Sequence, residues 1–118
     1  MNLFSIPERT QEEFCQLLAR ADACRIERIV SQGHRSPEGF WYDQAQDELV
    51  CLLSGSALLA FDRCQVFLTA GDTLFIPAHQ RHRVEATGHT PPCVWLCIFG
   101  EFDKTIRMDQ TIIQENPP

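Results

Sequence analysis

The sequence predicts an all-β barrel that is preceded by a short N-terminal α-helix. Six or seven short apolar segments follow one another at spacings of about 8–12 residues, which is typical of a β-sandwich or barrel. Turn-forming residues separate these segments, and the sequence contains no internal repeat or linker. Since 118 residues suffice for one domain with a hydrophobic core, we expect a helical segment over residues 1–22 packed on a single barrel over residues 23–118.

The N-terminal helix is predicted over residues 8–21. Its apolar side chains recur at i, i+3, i+4 and i+7, the spacing of one helix face: Phe14, Leu17, Leu18 and Ala21. Thr10 followed by Glu13 fits a capping box, in which the two residues satisfy backbone N–H groups at the start of a helix.

Beyond residue 23 the apolar pattern changes to short strand-like segments. The predicted strands are CRIERIV, ELVCLLS, SALLAF, QVFLT, DTLFIP, RHRVEA and CVWLCIF. ELVCLLS is apolar on both faces, which predicts a central strand that is covered on both sides. CVWLCIF is also too apolar for an uncovered edge. Residues Thr105–Met108 are predicted to add one further strand.

Charge and composition exclude several functional classes. The 10 Lys and Arg residues against 16 Asp and Glu residues give a net charge of -6, and an acidic surface repels nucleic-acid phosphates. No apolar run approaches the roughly 20 residues of a membrane span. We expect a cytoplasmic protein, because the N-terminus lacks the pattern of a secretory signal and the six cysteines form no CxxC pair.

His82 is predicted to point into the barrel. Strict alternation separates residues 81–86 into two faces: Arg81, Arg83 and Glu85 on one, and His82, Val84 and Ala86 on the other. The face that carries Val84 should be the buried one. A buried imidazole needs a partner, which can be a side chain, a water molecule or a metal ion.

Glu48 opens the predicted central strand and lies either at its exposed end or inside the barrel. An inward carboxyl must be paired, coordinated or protonated. An inward Glu48 and an inward His82 on different strands could reach each other, which is the geometry of a mononuclear metal site or of a buried ion pair.

The residues from about 26 to 99 resemble a small single-domain cupin, whose fold is a jelly-roll barrel. The segment GDTLFIPAHQRH matches the second cupin motif at Gly71, Pro77 and His82, with His79 where the family usually has glycine. In WYDQAQDELVCLLSG, Glu48 is followed after six residues by Gly55, as in the first motif. Most similar small cupins are described only as proteins of unknown function.

The first motif lacks its H-x-H histidine pair. Two ways of counting back from Glu48 place other residues there: Trp41 and Asp43, or Tyr42 and Gln44. Only Glu48 and His82 of the usual metal set of three histidines and one glutamate therefore carry over. With Asp43 as a substitute ligand, the resemblance implies an oxygen-rich site for Mn²⁺, Fe²⁺ or Zn²⁺. His79 or His34 would complete such a site.

Residues near the predicted mouth are candidates for binding a ligand: Trp41, Tyr42, Gln44 and His79. The aromatic residues among them would otherwise pack against the predicted helix, and His34 would be an exposed loop residue. The acidic residues Asp43, Asp47 and Glu48 also cluster here, which favours a cation. His89 is predicted at the surface.

These observations leave three functions open. The first is a cupin that binds a metal ion or a small ligand without catalysis. The second is a metal-dependent enzyme of the isomerase or dioxygenase type, and the third is an oligomerisation unit. The expected partners are a small molecule and a second copy of the chain in a homodimer, with neither nucleic acid nor a membrane.

Overall fold

The computed structural model describes residues 1–103, and their regular elements are all β-strands. The strands are β1 (Phe14–Ala21), β2 (Cys24–Ser31), β3 (Asp47–Ser54), β4 (Ser56–Phe61), β5 (Gln65–Thr69), β6 (Thr73–Ile76), β7 (His82–Thr87) and β8 (Cys93–Gly100). The seven predicted strands from CRIERIV to CVWLCIF agree with β2–β8 to within one residue at each end. The all-β prediction is confirmed, and the predicted strand Thr105–Met108 lies outside the described residues.

Two antiparallel sheets enclose the core. The larger has five strands in the order β1-β2-β8-β3-β6, and the smaller has three in the order β5-β4-β7. Buried side chains from both sheets meet between them: Leu52, Leu59, Leu68, Leu74 and Trp95. As predicted, β8 lies away from the sheet edges, with β2 on one side and β3 on the other.

The predicted N-terminal helix is wrong, because residues Phe14–Ala21 form β1. This strand pairs antiparallel with β2, from Phe14 opposite Val30 to Ala21 opposite Cys24, with a bulge between Leu17 and Ala19. The capping box is absent too, since the Thr10 hydroxyl donates to the Glu12 carbonyl oxygen at 2.7 Å.

The strand forms here because a short isolated helix is only marginally stable in water, whereas the edge of β2 offers backbone hydrogen-bond partners along the segment. Residues 14–18 also alternate as a strand requires: Phe14, Gln16 and Leu18 are half-buried, whereas Cys15 and Leu17 are exposed. Over so short a segment, the apolar pattern therefore does not distinguish a helix from a strand. The predicted division at residue 22 falls in the turn between β1 and β2.

The chain before β1 is attached to β2 and to the loop that follows β2. The buried Arg28 side chain of β2 holds it, because its Nη1 donates to the carbonyl oxygens of Leu3 at 3.0 Å and Ser5 at 2.6 Å. His34 adds a second attachment: its Nε2 donates to the Thr10 carbonyl oxygen at 2.8 Å. His34 is thus a buried residue that anchors this segment, which corrects the prediction of an exposed loop histidine.

The loop between β2 and β3 crosses to the smaller sheet and is bonded to β7. Tyr42 and His82 exchange two backbone hydrogen bonds, of 2.7 and 3.2 Å. Arg83, which was predicted to face outward, donates to the carbonyl oxygens of Ser36 and Pro37 at 3.1 and 3.0 Å. Arg83 is therefore half-buried and holds the loop.

The alternation predicted for β7 holds only for its first half. His82 is buried, and both His82 and Val84 line the interior cavity. Leu59 pairs with Val84 but Leu58 pairs with Ala86, so Glu85 is an extra residue in a bulge. Because a bulge reverses the alternation beyond it, Ala86 is exposed and not inward as predicted.

The six cysteines are all free thiols, as predicted. Within residues 1–103 no helix is long and apolar enough to cross a membrane. The homodimer stays a prediction, since the structure contains a single chain.

Candidate functional site

A cavity of about 210 Å³ lies between the two sheets. Most of its wall is apolar: Ile29, Val50, Leu59, Ile76, Val84 and Phe99. This volume is below the roughly 300–1,000 Å³ of pockets that hold drug-sized ligands. The space therefore suits a small molecule.

Glu48 and His82 meet inside this cavity. Glu48 shares the inner face of β3 with Val50, and His82 opens β7 on the opposite sheet. Their exposed fractions are only 6% and 5%, and His82 Nε2 lies 3.9 Å from Glu48 Oε1. The predicted encounter of the two side chains across the barrel is present.

The orientation of the His82 ring is fixed by its neighbours. Nδ1 lies 2.9 Å from the Gln80 carbonyl oxygen, and it must donate because a carbonyl can only accept. The Tyr42 ring stacks on the imidazole with centroids 5.2 Å apart and planes at 22°. Phe61 lies 5.9 Å away on a tilted plane. Nε2 is thus the ring nitrogen presented to Glu48, and in the neutral ring it is an acceptor.

Burial raises the pKa of the Glu48 carboxyl, because the charged form loses its hydration. The Gln44 amide opposes this shift, since its Nε2 donates to Glu48 Oε1 at 3.0 Å. His82 and the Cys97 thiol lower the pKa as well, whereas the charge of Glu27 raises it. The net direction is upward, so the barrel interior favours the neutral carboxyl more than water does.

Two further groups beside Glu48 stay protonated at neutral pH. Burial raises the pKa of the Tyr42 phenol to about 12, and the charge of Glu13 adds to the shift. Burial also raises the pKa of the Cys97 thiol well above its ordinary value, with the charge of Glu48 as the second cause. The cavity therefore presents a phenol hydroxyl and a thiol, and neither a phenolate nor a thiolate.

A more exposed part of the cavity wall carries an ion pair on β2. Arg25 Nε donates to Glu27 Oε2 at 2.8 Å, and Arg25 Nη1 donates to Gln46 Oε1 at 3.1 Å. The guanidinium also lies over the Phe99 ring, 3.9 Å from its centroid. Arg25 is thus held by three neighbours at once.

Glu13 lines the cavity as well and directly precedes β1, a strand that was not predicted. Its carboxylate accepts a hydrogen bond from the Ser31 hydroxyl, which in turn accepts from Trp95 Nε1 at 3.0 Å. Arg25 and Glu27 could have been found by the alternation that places them on one face of β2 with Ile29. Glu13 could not, because the helix prediction removed residues 8–21 from the barrel.

Asp43, the third predicted metal ligand, lies away from Glu48 and His82. Its Oδ1 is 2.7 Å from His79 Nδ1, and the two side chains are 53% and 70% exposed. Neither Asp43 nor His79 lines the cavity. Trp41 also lies outside it, with the guanidinium of Arg81 5.0 Å from its ring centroid. Of the predicted ligand-binding residues, only Tyr42 and Gln44 line the cavity.

The residues present do not fit a resident transition metal. Within residues 1–103 no group of three or more His, Cys, Asp or Glu side chains is placed to hold a metal ion. Glu48 and His82 supply two ligands, whereas catalytic metal sites use at least three from the protein. His34, the other proposed replacement, is bound to the Thr10 carbonyl oxygen. The predicted set of Asp43, Glu48 and His82 is therefore not assembled.

A comparison with protein families identifies this barrel. The model of the cupin domain matches residues 28–99, which include most of β2 and β8 and everything between them. The chain belongs to the cupin family. The resemblance inferred from GDTLFIPAHQRH and Glu48 is thereby confirmed.

Solved structures are similar to this cupin over most of its length. A protein from Ralstonia eutropha JMP134, described provisionally as a mannose-6-phosphate isomerase, is 42% identical with a TM-score of 0.81, and the match covers 86% of this chain and 97% of that chain. A cupin superfamily protein from Desulfitobacterium hafniense DCB-2 is 24% identical with a TM-score of 0.71, over 85% and 87% of the two chains. The second likeness concerns the fold alone. No curated protein matches the sequence.

Proposed function

We propose that this cupin binds a small polar organic molecule in the cavity between its sheets. The observation that supports this proposal is the buried pair of Glu48 and His82 in a cavity whose wall is mostly apolar. Binding sites commonly combine apolar walls with a few convergent polar groups, and a carboxyl with a raised pKa in such a place is a functional candidate.

The polar groups complement a ligand that both donates and accepts hydrogen bonds. His82 Nε2 accepts in the neutral ring, and Glu48 accepts through its carbonyl oxygen or donates when it is protonated. The Tyr42 hydroxyl, which keeps its proton, can donate. Gln44 holds Glu48 in place through its amide.

An isomerase is the second candidate, and two observations favour it. Glu48 and His82 face each other in the cavity and could act as general acid and base on a bound molecule. The 42% identical Ralstonia protein is also described, provisionally, as an isomerase. A metal would need ligands beyond Glu48 and His82, so this proposal contains no metal-dependent step.

The test is a screen of small polar molecules by ligand-observed NMR, followed by calorimetry of the binders. We expect the affinity of the binders to fall at least tenfold in Glu48→Gln and in His82→Gln. In Val84→Phe the larger side chain fills the cavity, so we expect no binding. His79→Ala, which alters an exposed residue outside the cavity, is the matched control and should bind like the wild type.

Thermal unfolding of each variant separates lost binding from lost folding. The proposal fails if folded Val84→Phe binds every molecule as tightly as the wild type does. Zn²⁺, Mn²⁺ and Fe²⁺ are titrated separately as the metals alone. Binding tighter than about 1 mM that Glu48→Gln abolishes would favour a metal site over the proposed one.

A further inference from the structure

The charges around the cavity restrict the chemistry of its ligand. We infer that the ligand is an uncharged polyhydroxy compound, such as a sugar or polyol without a phosphate group. This inference rests on the proposed function and names the class of molecule that the site would take.

The cavity wall is poor in the groups that bind phosphate. Three carboxyl groups line it, from Glu13, Glu27 and Glu48, and among the described residues Arg25 is its one guanidinium or ammonium group. Phosphate sites in proteins use free arginines, lysines or the N-terminus of a helix. No helix is present among residues 1–103 to provide the last of these.

The charge of Arg25 is already paired with a carboxylate. Its Nε is bound to the Glu27 carboxylate at 2.8 Å and its Nη1 to the Gln46 amide oxygen at 3.1 Å, while its guanidinium covers the Phe99 ring. A phosphate bound beside Arg25 would have to displace the Glu27 carboxylate, which repels a dianion in a site of low dielectric constant.

The surroundings of Glu48 favour a neutral ligand over a cation. Glu48 Oε1 already accepts from Gln44, and His82 Nε2 lies beside it at 3.9 Å. Burial favours the neutral form of Glu48. Hydroxyl groups, which donate and accept in turn, match His82, Tyr42 and Glu48 without introducing a charge.

Paired ligands test this inference. Mannose, glucose and glycerol are each titrated beside their phosphate esters, and choline and acetate represent a small cation and a small anion. For the wild type we expect at least one uncharged compound to bind at least tenfold tighter than its own phosphate ester. Equal or tighter binding of the ester would overturn the inference, as would binding of choline or acetate alone.

A substitution of Glu27 tests whether its pairing with Arg25 is what excludes phosphate. Glu27→Gln releases Arg25 from its carboxylate, so we expect the affinity for a phosphate ester, relative to that for its uncharged parent compound, to rise at least fivefold. Glu85→Gln is the matched control, because it also removes one carboxylate that pairs with an arginine. Glu85 Oε1 lies 2.5 Å from Arg83 Nε, and Glu85 does not line the cavity. An equal gain in Glu85→Gln would show that net charge alone is responsible and would overturn the argument from Arg25.

The two proposals fail in different ways. Suppose that the wild type binds choline or acetate, that Val84→Phe does not, and that no uncharged compound binds. The inference is then wrong, and the proposed binding cavity stands. If nothing in the panel or in the wider screen binds in a manner sensitive to Val84→Phe, the proposed function fails as well.

Discussion

Glu48 illustrates how the barrel changes the chemistry of one residue. A carboxylate in an apolar interior is costly unless it is paired or protonated. Here the cost is reduced by a hydrogen bond from Gln44 and by the imidazole of His82, but the pKa of Glu48 is still raised. The residue thus holds its proton to higher pH in the folded protein than in the unfolded chain.

The stability of the protein should therefore depend on pH through Glu48. A raised pKa contributes stability that is fully present below the ordinary value of 4.5 and is lost as the pH rises through the folded value. Glu48→Gln cannot ionise, so we expect the wild type to lose stability relative to this variant as the pH rises above 4.5. Urea unfolding at steps across this range measures the difference.

A matched control is Glu38→Gln, which removes an exposed carboxyl. Its stability should follow that of the wild type at every pH. Parallel curves for the wild type and Glu48→Gln would contradict the raised pKa.

At the scale of an element, β1 is where the sequence pattern and the structure disagree. A helix would have buried Leu17 beside Phe14 on one apolar face. In the strand, Phe14 is half-buried over the Arg28 guanidinium, whereas Leu17 is 50% exposed. Truncating these two side chains should therefore change the free energy of unfolding by different amounts.

We expect Leu17→Ala to change the free energy of unfolding by less than about 0.5 kcal/mol, as is usual for exposed sites. Phe14→Ala should cost more, about 1–3 kcal/mol, because it loses partly buried area and the contact with Arg28. Chemical denaturation measures both. A loss of about 2–5 kcal/mol in Leu17→Ala, typical of a buried leucine, would instead support the helix.

The attachment of residues 1–13 is a second element-scale feature, and it depends on Arg28. Arg28→Ala leaves the Leu3 and Ser5 carbonyl oxygens without their donor, so we expect a loss of about 1–3 kcal/mol in stability. Hydrogen exchange should also become faster in residues 1–13, and this can be measured by mass spectrometry. Arg63→Ala, at an exposed turn position, should change neither quantity; slow exchange in Arg28→Ala would show that other contacts hold the segment.

For the whole molecule, the packing between the two sheets supplies the main stabilising contacts. Leu74 of β6 is fully buried between the sheets, while Phe67 of β5 is 64% exposed on the outer surface. We expect Leu74→Ala to cost about 2–5 kcal/mol through lost burial and a residual cavity. Phe67→Ala, a larger truncation, should cost less than about 0.5 kcal/mol. Thermal and urea unfolding of both variants check this, and similar losses would mean that the outer face of β5 is covered in solution.

Much of the fold could be predicted from the sequence because its signals are local. Alternation and turn residues located β2–β8 to within one residue at each end, and the segment GDTLFIPAHQRH resembles a cupin motif. The inward orientation of His82 also followed from period-two alternation, which is a property of any strand. The helix prediction failed because the helical spacing of the four apolar residues was followed instead of the alternation of residues 14–18, and only the edge of β2 decides between the two.

Asp43, Asp47 and Glu48 show most clearly what the sequence determined and what the tertiary structure decided. The sequence by itself determined that acidic residues lie near the start of a buried strand. Only the tertiary structure separates them: Asp43 binds His79 at the surface, Asp47 Oδ1 accepts from the Ala78 amide at 2.8 Å, and Glu48 meets His82 in the cavity. The physical reason is that alternation turns neighbouring side chains to opposite faces of a strand, and what each face meets depends on residues that are distant in the chain.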